Sequence, residues 1–284
     1  MLATQSIAVI AALLVNLDTV LASAAAEATR PSGGYARNIV SINLCADQLL
    51  LRLAQRERIA SVSHLAANPL YSEYHDRVGD IALNHGRIEE IIALQPDLVL
   101  AYQYSDVQVI HMLRHLGVRV AVIPAPSNLD DVASTITAVA ALLDERRKGA
   151  DLRAQMAAEL MPEPVPHGRS RPLAVIYAPG GYSPGALSLA GALLEAAGFR
   201  NLSAELGNDY GATLPLEQLL MHQPDLIIVD DDEPDKNSLA QRRLEHPALQ
   251  RGMRNTRTVR LTGRYWSCPT PAVSAAVTEL RSYR

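Results

Sequence analysis

The tetrapeptide Gln-Pro-Asp-Leu occurs twice, at Gln95-Pro96-Asp97-Leu98 and at Gln223-Pro224-Asp225-Leu226, at a constant offset of 128 positions from Pro96 to Pro224. The likeness extends both ways. Upstream, Glu89-Glu90-Ile91-Ile92-Ala93-Leu94 aligns with Glu217-Gln218-Leu219-Leu220-Met221-His222, and downstream Val99-Leu100 aligns with Ile227-Ile228. Each copy reads as an amphipathic helix, a Pro-Asp stop and a buried strand. A proline just past a helix cannot continue it. The unbroken apolar run that follows suits a strand covered on both faces. One copy in each half predicts two similar α/β lobes. Ligands of such sheets sit at the carboxyl ends of the strands, so two facing lobes make one cleft.

The chain has 284 residues, enough for two modest lobes, and 48% of them are hydrophobic. A net charge of −4 gives no electrostatic case for nucleic acid. With ten Tyr, one Trp and one Phe, any aromatic in a site carries unusual weight. Residues 1–26 read as an export signal: Ile7 to Leu17 is an apolar stretch of h-region length, too short to span a membrane. Small residues after it offer cleavage after Ala24 or Ala26. Met1 to Ser6 lacks Lys and Arg, which departs from the usual signal. No cysteine ends the h-region, and Cys45 follows Asn43-Leu44 far downstream. The expectation is therefore a soluble periplasmic protein and not a lipoprotein.

The alternation of strand and helix places an N-terminal α/β lobe over 37–126 and a C-terminal lobe over 170–284. Strands are expected at 38–42, 58–63, 97–102, 118–123, 173–177, 226–229 and 258–261, with repeat helices over 86–94 and 215–221. Between the lobes, 127–163 reads as a connector. From Leu129 to about Leu160, Val132, Ile136, Val139, Leu143, Leu152 and Met156 keep apolar helical spacing. This predicts one long α-helix, with Gly149 as its place of interruption. A Pro-rich link over 162–172 follows, and later an acidic run, Asp230 to Glu233, and a helix over 238–244.

Several segments in this order resemble one family, the periplasmic substrate-binding proteins of ABC importers for cobalamin and ferric siderophores. They are Asn38-Ile39-Val40-Ser41-Ile42, Asn84-His85-Gly86-Arg87-Ile88-Glu89-Glu90-Ile91, Leu94-Gln95-Pro96-Asp97-Leu98-Val99-Leu100, Leu116-Gly117-Val118 and Leu216-Glu217-Gln218-Leu219. The resemblance runs from about Arg37 to the end. It implies two Rossmann-like lobes with parallel sheets, joined by one long helix, and a monomer. It also implies no cofactor, a transported metal chelate, and a permease dimer with its ATPase as partner. In that family one glutamate per lobe docks on permease arginines. The matching positions here are Glu89 and Glu217, with Glu90 a neighbour able to substitute. A glutamate in a first helical turn otherwise only complements the helix dipole.

Loops after the strands supply the candidate ligand-binding residues: Asn43, Cys45, His64, His85, Tyr102, Tyr104, Tyr182, Tyr210, Arg264, Tyr265, Trp266 and Cys268. Tyr and Trp suit a large planar or amphipathic ligand, although Trp266 serves equally as a core anchor for the last helix. At the cleft edge the acidic run would disfavour a strongly anionic ligand, which tilts the reading mildly from a ferric catecholate to a corrinoid, although the run serves equally as a solvated surface loop. Cys45 and Cys268 admit three readings: a disulfide, two soft metal ligands, or buried thiols. A bare Zn, Mn or Fe ion held by His and Cys is the alternative cargo. His111 and His115 have metal-site spacing on a helix but lie away from the cleft. A thiol enzyme using Cys45 and His85 is the weaker reading; no nucleophile elbow or Walker loop is present.

Overall fold

The computed structural model describes residues 36–161, 170–230, 247 and 256–284. The expected export signal, the link residues 162–169, the acidic residues 231–233 and the helix over 238–244 lie outside them.

The first lobe alternates β1 (Ile39–Ser41), α1 (Leu44–Leu53), β2 (Ile59–Ser63), β3 (Ala82–Asn84), α2 (Ile88–Ala93), β4 (Leu98–Tyr102), α3 (Val107–His115) and β5 (Val120–Ile123). Its sheet has the order β3-β2-β1-β4-β5, with every pairing parallel. The second lobe contains β6 (Leu173–Tyr177), a short β7 (Tyr182–Pro184), α6 (Leu189–Ala196), β8 (Arg200–Asn201), α7 (Leu202–Glu205), β9 (Gly211–Thr213), α8 (Leu216–His222), β10 (Leu226–Asp230), β11 (Arg257–Leu261) and α9 (Val273–Arg281). Its main sheet runs β11-β10-β6-β8, again parallel, and β7 and β9 form a separate antiparallel ribbon. Strand order reverses between β1 and β4, and between β6 and β10. Such reversals open a crevice at the carboxyl ends of the strands.

The repeated tetrapeptide has one job in both lobes. Gln95 and Gln223 take left-handed backbone, with φ of 48° and 43°, which ends α2 and α8 before the proline. The Asp97 carboxylate then accepts from the backbone N–H groups of Arg37 and Asn38, at 2.8 and 3.0 Å. The Asp225 carboxylate accepts from the N–H of Leu173 at 2.7 Å. Each aspartate thus ties the start of one strand to the start of its neighbour, β1 to β4 and β6 to β10. Charge-assisted bonds of this kind are the strong ones.

Alternate strand residues face opposite sides. Ile39, Leu98, Leu100, Ala174, Ile176, Leu226 and Ile228 all belong to one continuous core. Val40 and Val99 point instead to a small cluster under α2 and α3, and Val175, Tyr177, Ile227 and Val229 to one under α7 and α8.

The connector departs from the expected single helix. It is two helices, α4 (Leu129–Leu142) and α5 (Arg146–Glu159), packed on each other. The stop lies at Asp144, not at Gly149. Asp144 adopts φ 59°, its N–H donates to Ala141 O, and the N–H of Glu145 donates to Ala140 O at 2.7 Å. This pair of bonds closes a helix C-terminus in left-handed backbone, a role asparagine or glycine usually fills. Apolar spacing continues across the turn because both helices bury residues in the same core, so periodicity alone could not show the break. Arg58 donates to Leu143 O at the turn, and Lys148 to Leu53 O at the end of α1. At the far end of α5, Arg281 donates to the carbonyls of Glu159 and Leu160. The hairpin is therefore fastened to both lobes.

Gly149 instead lets the two helices touch: a Cβ there would sit 2.3 Å from the Ala140 Cβ. Gly149→Ala should gain about 1 kcal/mol of helix propensity yet lose about 1–3 kcal/mol to overpacking. We expect a net loss of stability in urea unfolding. Ala140→Gly in the same chain should show a favourable coupling of at least about 1 kcal/mol in the double-mutant cycle.

Candidate functional site

Cys45 and Cys268 form a disulfide, Cα to Cα 4.9 Å, across 223 positions of sequence. Cys45 opens α1 just beyond β1, and Cys268 lies in the loop just beyond β11. The bond therefore joins the carboxyl side of β1 to that of β11, one strand from each sheet, and makes a seam between the lobes. Of the three readings of the cysteines, the disulfide is the one realised. Neither sulfur remains as a thiolate, which removes them as metal ligands and removes Cys45 as a nucleophile.

Further contacts close the same seam. Arg264 donates from Nη1 to Pro69 O at 2.8 Å, and its Nε lies 3.4 Å from Glu73 Oε2. Arg264 thus spans the lobes as a strut, with its guanidinium over the Tyr265 ring. Tyr74 bonds to Thr270, and burial raises its hydroxyl pKa above the ordinary value. Trp266 is only 8% exposed and packs in the shared core, the core-anchor role. Asn43 spends its side-chain oxygen capping α1, accepting from Cys45 N–H at 2.9 Å.

The remaining candidates divide by exposure. Tyr102 is buried, which pushes its hydroxyl up to about 12; its neighbour Tyr104, in edge contact with it, is 75% exposed. Tyr102 ends β4, a strand at the reversal of order in the first sheet, and Tyr104 lies just past it. In the second lobe, Tyr182 begins β7 just past β6, and Tyr210 precedes β9 with 73% of its surface exposed. Their two loops meet through the antiparallel ribbon. Sequence reasoning missed this ribbon because three-residue strands carry no readable alternation.

His64 follows β2 and His85 follows β3. The register pairs Ser63 with Asn84, so the next residues stand side by side. Their rings stack with centroids 4.8 Å apart, which is the spacing of neighbouring strands. The Glu90 carboxylate accepts from the His85 backbone N–H at 2.7 Å and lies 3.5 Å from His85 Nδ1. The backbone bond holds the Glu90 carboxyl below the usual range. Glu90 is thereby engaged, leaving Glu89 as the other carboxylate of that exposed turn. Glu89 and Glu217 are each the second residue of their helix and both are exposed. Among the described residues no group of three or more His, Cys, Asp or Glu could hold a metal ion, and no helix is long and apolar enough to cross a membrane.

Beneath these loops lies a buried polar floor that the sequence did not reveal. Asn84 donates to Ser41 O and Ser61 Oγ, at 2.9 and 2.8 Å. Asp47, fully buried in α1, accepts from Ser63 N–H and bonds Ser63 Oγ. Burial outweighs those bonds and the bond to Ser41, and pushes the Asp47 carboxyl up to about 7. A carboxyl with a raised folded pKa favours the folded state when protonated. Its contribution is full below about pH 4 and is lost as pH rises to about 7. Asp47→Asn imitates the protonated acid. In chemical denaturation from pH 4 to 8, the wild type should lose up to about 4 kcal/mol relative to Asp47→Asn. An unchanged difference between the two proteins across that range would refute the assignment.

The sequence model of the family described as "Periplasmic binding protein" matches residues 39–263. A curated "Cobalamin-binding protein" of Halobacterium salinarum is 25% identical over 194 residues, 67% of this chain and 53% of its own length. The chain thus spans about half the length of the curated relatives it matches. Among solved structures, the periplasmic heme-binding protein RhuT from Roseiflexus in apo form superposes with a TM-score of 0.71 at 23% identity, over 87% of this chain and 97% of that one. A possible iron-binding periplasmic protein from Staphylococcus epidermidis gives 0.73 at 19% identity, over 88% and 99%. The periplasmic vitamin B12 binding protein BtuF of Vibrio cholerae gives 0.64 at 19%, over 87% and 96%. At these identities the structures establish the shared two-lobe fold.

Proposed function

We propose that this chain, which belongs to the periplasmic binding protein family, captures a metal chelate and delivers it to an ABC permease. The chelate is of the corrinoid, haem or ferric-hydroxamate type, the class that the relatives' names describe. One observation carries the reading. A disulfide joins the carboxyl side of β1 in one parallel sheet to that of β11 in the other, and exposed rings lie at or just past strand ends in both lobes, Tyr104, His64 and His85 in the first, Tyr182 and Tyr210 in the second, which supports a ligand site between them. Flat rings with polar tips suit a large amphipathic ligand. The alternative, a bare ion, loses support because the cysteines are bonded to each other and the described residues offer no ligand cluster.

Docking follows from the equivalent glutamates. Glu89 and Glu217 stand at matching positions of the repeat, one on each lobe of a body with a shared core. Two separated carboxylates on one rigid body fix orientation as well as adding attraction. The double substitution Glu89→Ala/Glu217→Ala should abolish stimulation of the transporter ATPase and leave ligand affinity unchanged. Full stimulation by the double variant would overturn the docking role.

Capture itself is tested by titrating the periplasmic protein with cyanocobalamin, hemin, a panel of ferric siderophores and Zn²⁺. Trp266, the single tryptophan, supplies the fluorescence signal. Saturable quenching by a coloured chelate is expected. A response to Zn²⁺ alone would replace the chelate with an ion.

A further inference from the structure

His111 and His115 stand four positions apart on α3, and both are exposed. This helix returns the chain from the carboxyl end of β4 to the start of β5, so the pair lies down the outer side of the first lobe. Residues four apart on a helix share one face, with Cβ atoms about 5–6 Å apart. At that spacing two imidazoles reach one metal ion. The helix is held firmly enough to keep it. Asp106 caps α3 by accepting from the N–H groups of Gln108 and Val109, and Ile110 and Leu113 bury its inner face. On the outer face Val107, His111 and His115 form one row, and Gln108, Met112 and Leu116 the next, all of them exposed.

The surroundings leave the pair open to an ion. It faces a recess of about 600 Å³ lined by Val107, Gln108, His111, Met112 and His115, which adds an amide oxygen and a thioether to the two rings. Among the described residues neither ring has a hydrogen bond, ion pair or ring contact of its own. Arg114, the arginine of α3, donates to Val120 O. Met112 stands where a metalloprotease helix of the same spacing carries its glutamate base, so the pair is arranged to hold an ion and not to drive hydrolysis. Two protein ligands are fewer than the three or four of resident zinc sites, and among the described residues no group of three forms. Water keeps the remaining positions, and occupancy follows the free metal around the protein.

We propose that His111 and His115 form an exchangeable site for a late divalent transition metal, Cu²⁺, Ni²⁺ or Zn²⁺, on the outer side of the first lobe. Binding is a ligand exchange. Two waters leave the hydrated ion, the lone pair of one neutral imidazole takes each position, and the metal keeps its oxidation state. Imidazole suits these ions, whereas Mg²⁺ and Ca²⁺ take oxygen ligands. Affinity follows the order Cu²⁺ above Ni²⁺ and Zn²⁺. The bound ion bridges one turn of α3 and stabilises the folded chain by mass action. The site does not depend on what the cleft captures, and it is separate from it.

The test titrates the untagged periplasmic protein with Ni²⁺ by calorimetry. The variants are His111→Ala, His115→Ala and Met112→His/His115→Ala. The last keeps two histidines but makes them adjacent, where they do not face one another. All replace exposed side chains, and circular dichroism checks that each variant is folded. Wild type should bind Ni²⁺ in the micromolar range with no competition from Mg²⁺. Each variant should weaken that binding at least about ten-fold, because chelation by two linked groups is lost. Ni²⁺ should raise the melting temperature of the wild type more than that of any variant. Trace Cu²⁺, which is paramagnetic, should broaden the amide NMR signals of Val107 to Leu116 first. Equal affinity in the wild type and the single variants overturns the site, and so does full affinity in the variant with adjacent histidines. Broadening centred elsewhere, such as at His64 and His85, overturns it too, as does the absence of binding below millimolar Ni²⁺.

Discussion

A single apolar core passing through both lobes is the constraint on which the rest of the molecule depends. Residues of β1 and β4 share it with residues of β6 and β10, through Val132, Ile136 and Val139 of α4, Leu152 and Met156 of α5, and Val273, Val277 and Leu280 of α9. Each buried side chain of this size is worth about 1.5–3 kcal/mol against exposure, so separating the lobes would expose a large sum. Closed-packed interiors do not deform continuously. The lobes therefore have no soft hinge in the core, and the disulfide adds to the same effect at the cleft. Closing a loop of 223 positions removes unfolded-chain entropy worth up to about 5 kcal/mol in the chain-entropy account. The relative placement of the two sheets is thus set by the fold before any ligand arrives. A preformed site avoids the ordering costs that otherwise consume binding energy.

The internal repeat was legible because it repeats a mechanical task. Asp97 and Asp225 must each face a neighbouring strand's first N–H, and Gln95 and Gln223 must each turn the chain out of a helix. Such tasks leave residue identity visible at a fixed spacing. The parallel pairing of both main sheets followed from the same alternation of strand and helix.

What periodicity could not supply was the third dimension. The break at Asp144 is hidden because apolar spacing on both sides of it serves one core. Tyr102 and Tyr104 lie two residues apart on the same segment, yet one is buried and the other open; only the packing of β4 distinguishes them. Cys45 and Cys268 lie far apart in sequence, and their pairing depends on how the two sheets meet. Asp47 shows the strongest contrast. In sequence it is a carboxylate in a helix's first turn, where the dipole normally favours the charge. In the structure, burial overrides that preference and raises its pKa, so the charge it carries depends on the fold.

The residues that join the lobes are distinct from the rings left open at the strand ends. Residues that hold the lobes together, Arg264 with Glu73 and Pro69, Tyr74 with Thr270, and the disulfide, have their polar or sulfur atoms committed to each other. Residues at the rim, Tyr104, Tyr210, His64 and His85, present rings to solvent. A substitution in the first set would alter the shape of the cleft, and one in the second its chemistry. Because these exposed rings lie outside the buried clusters, they can vary without disturbing the core.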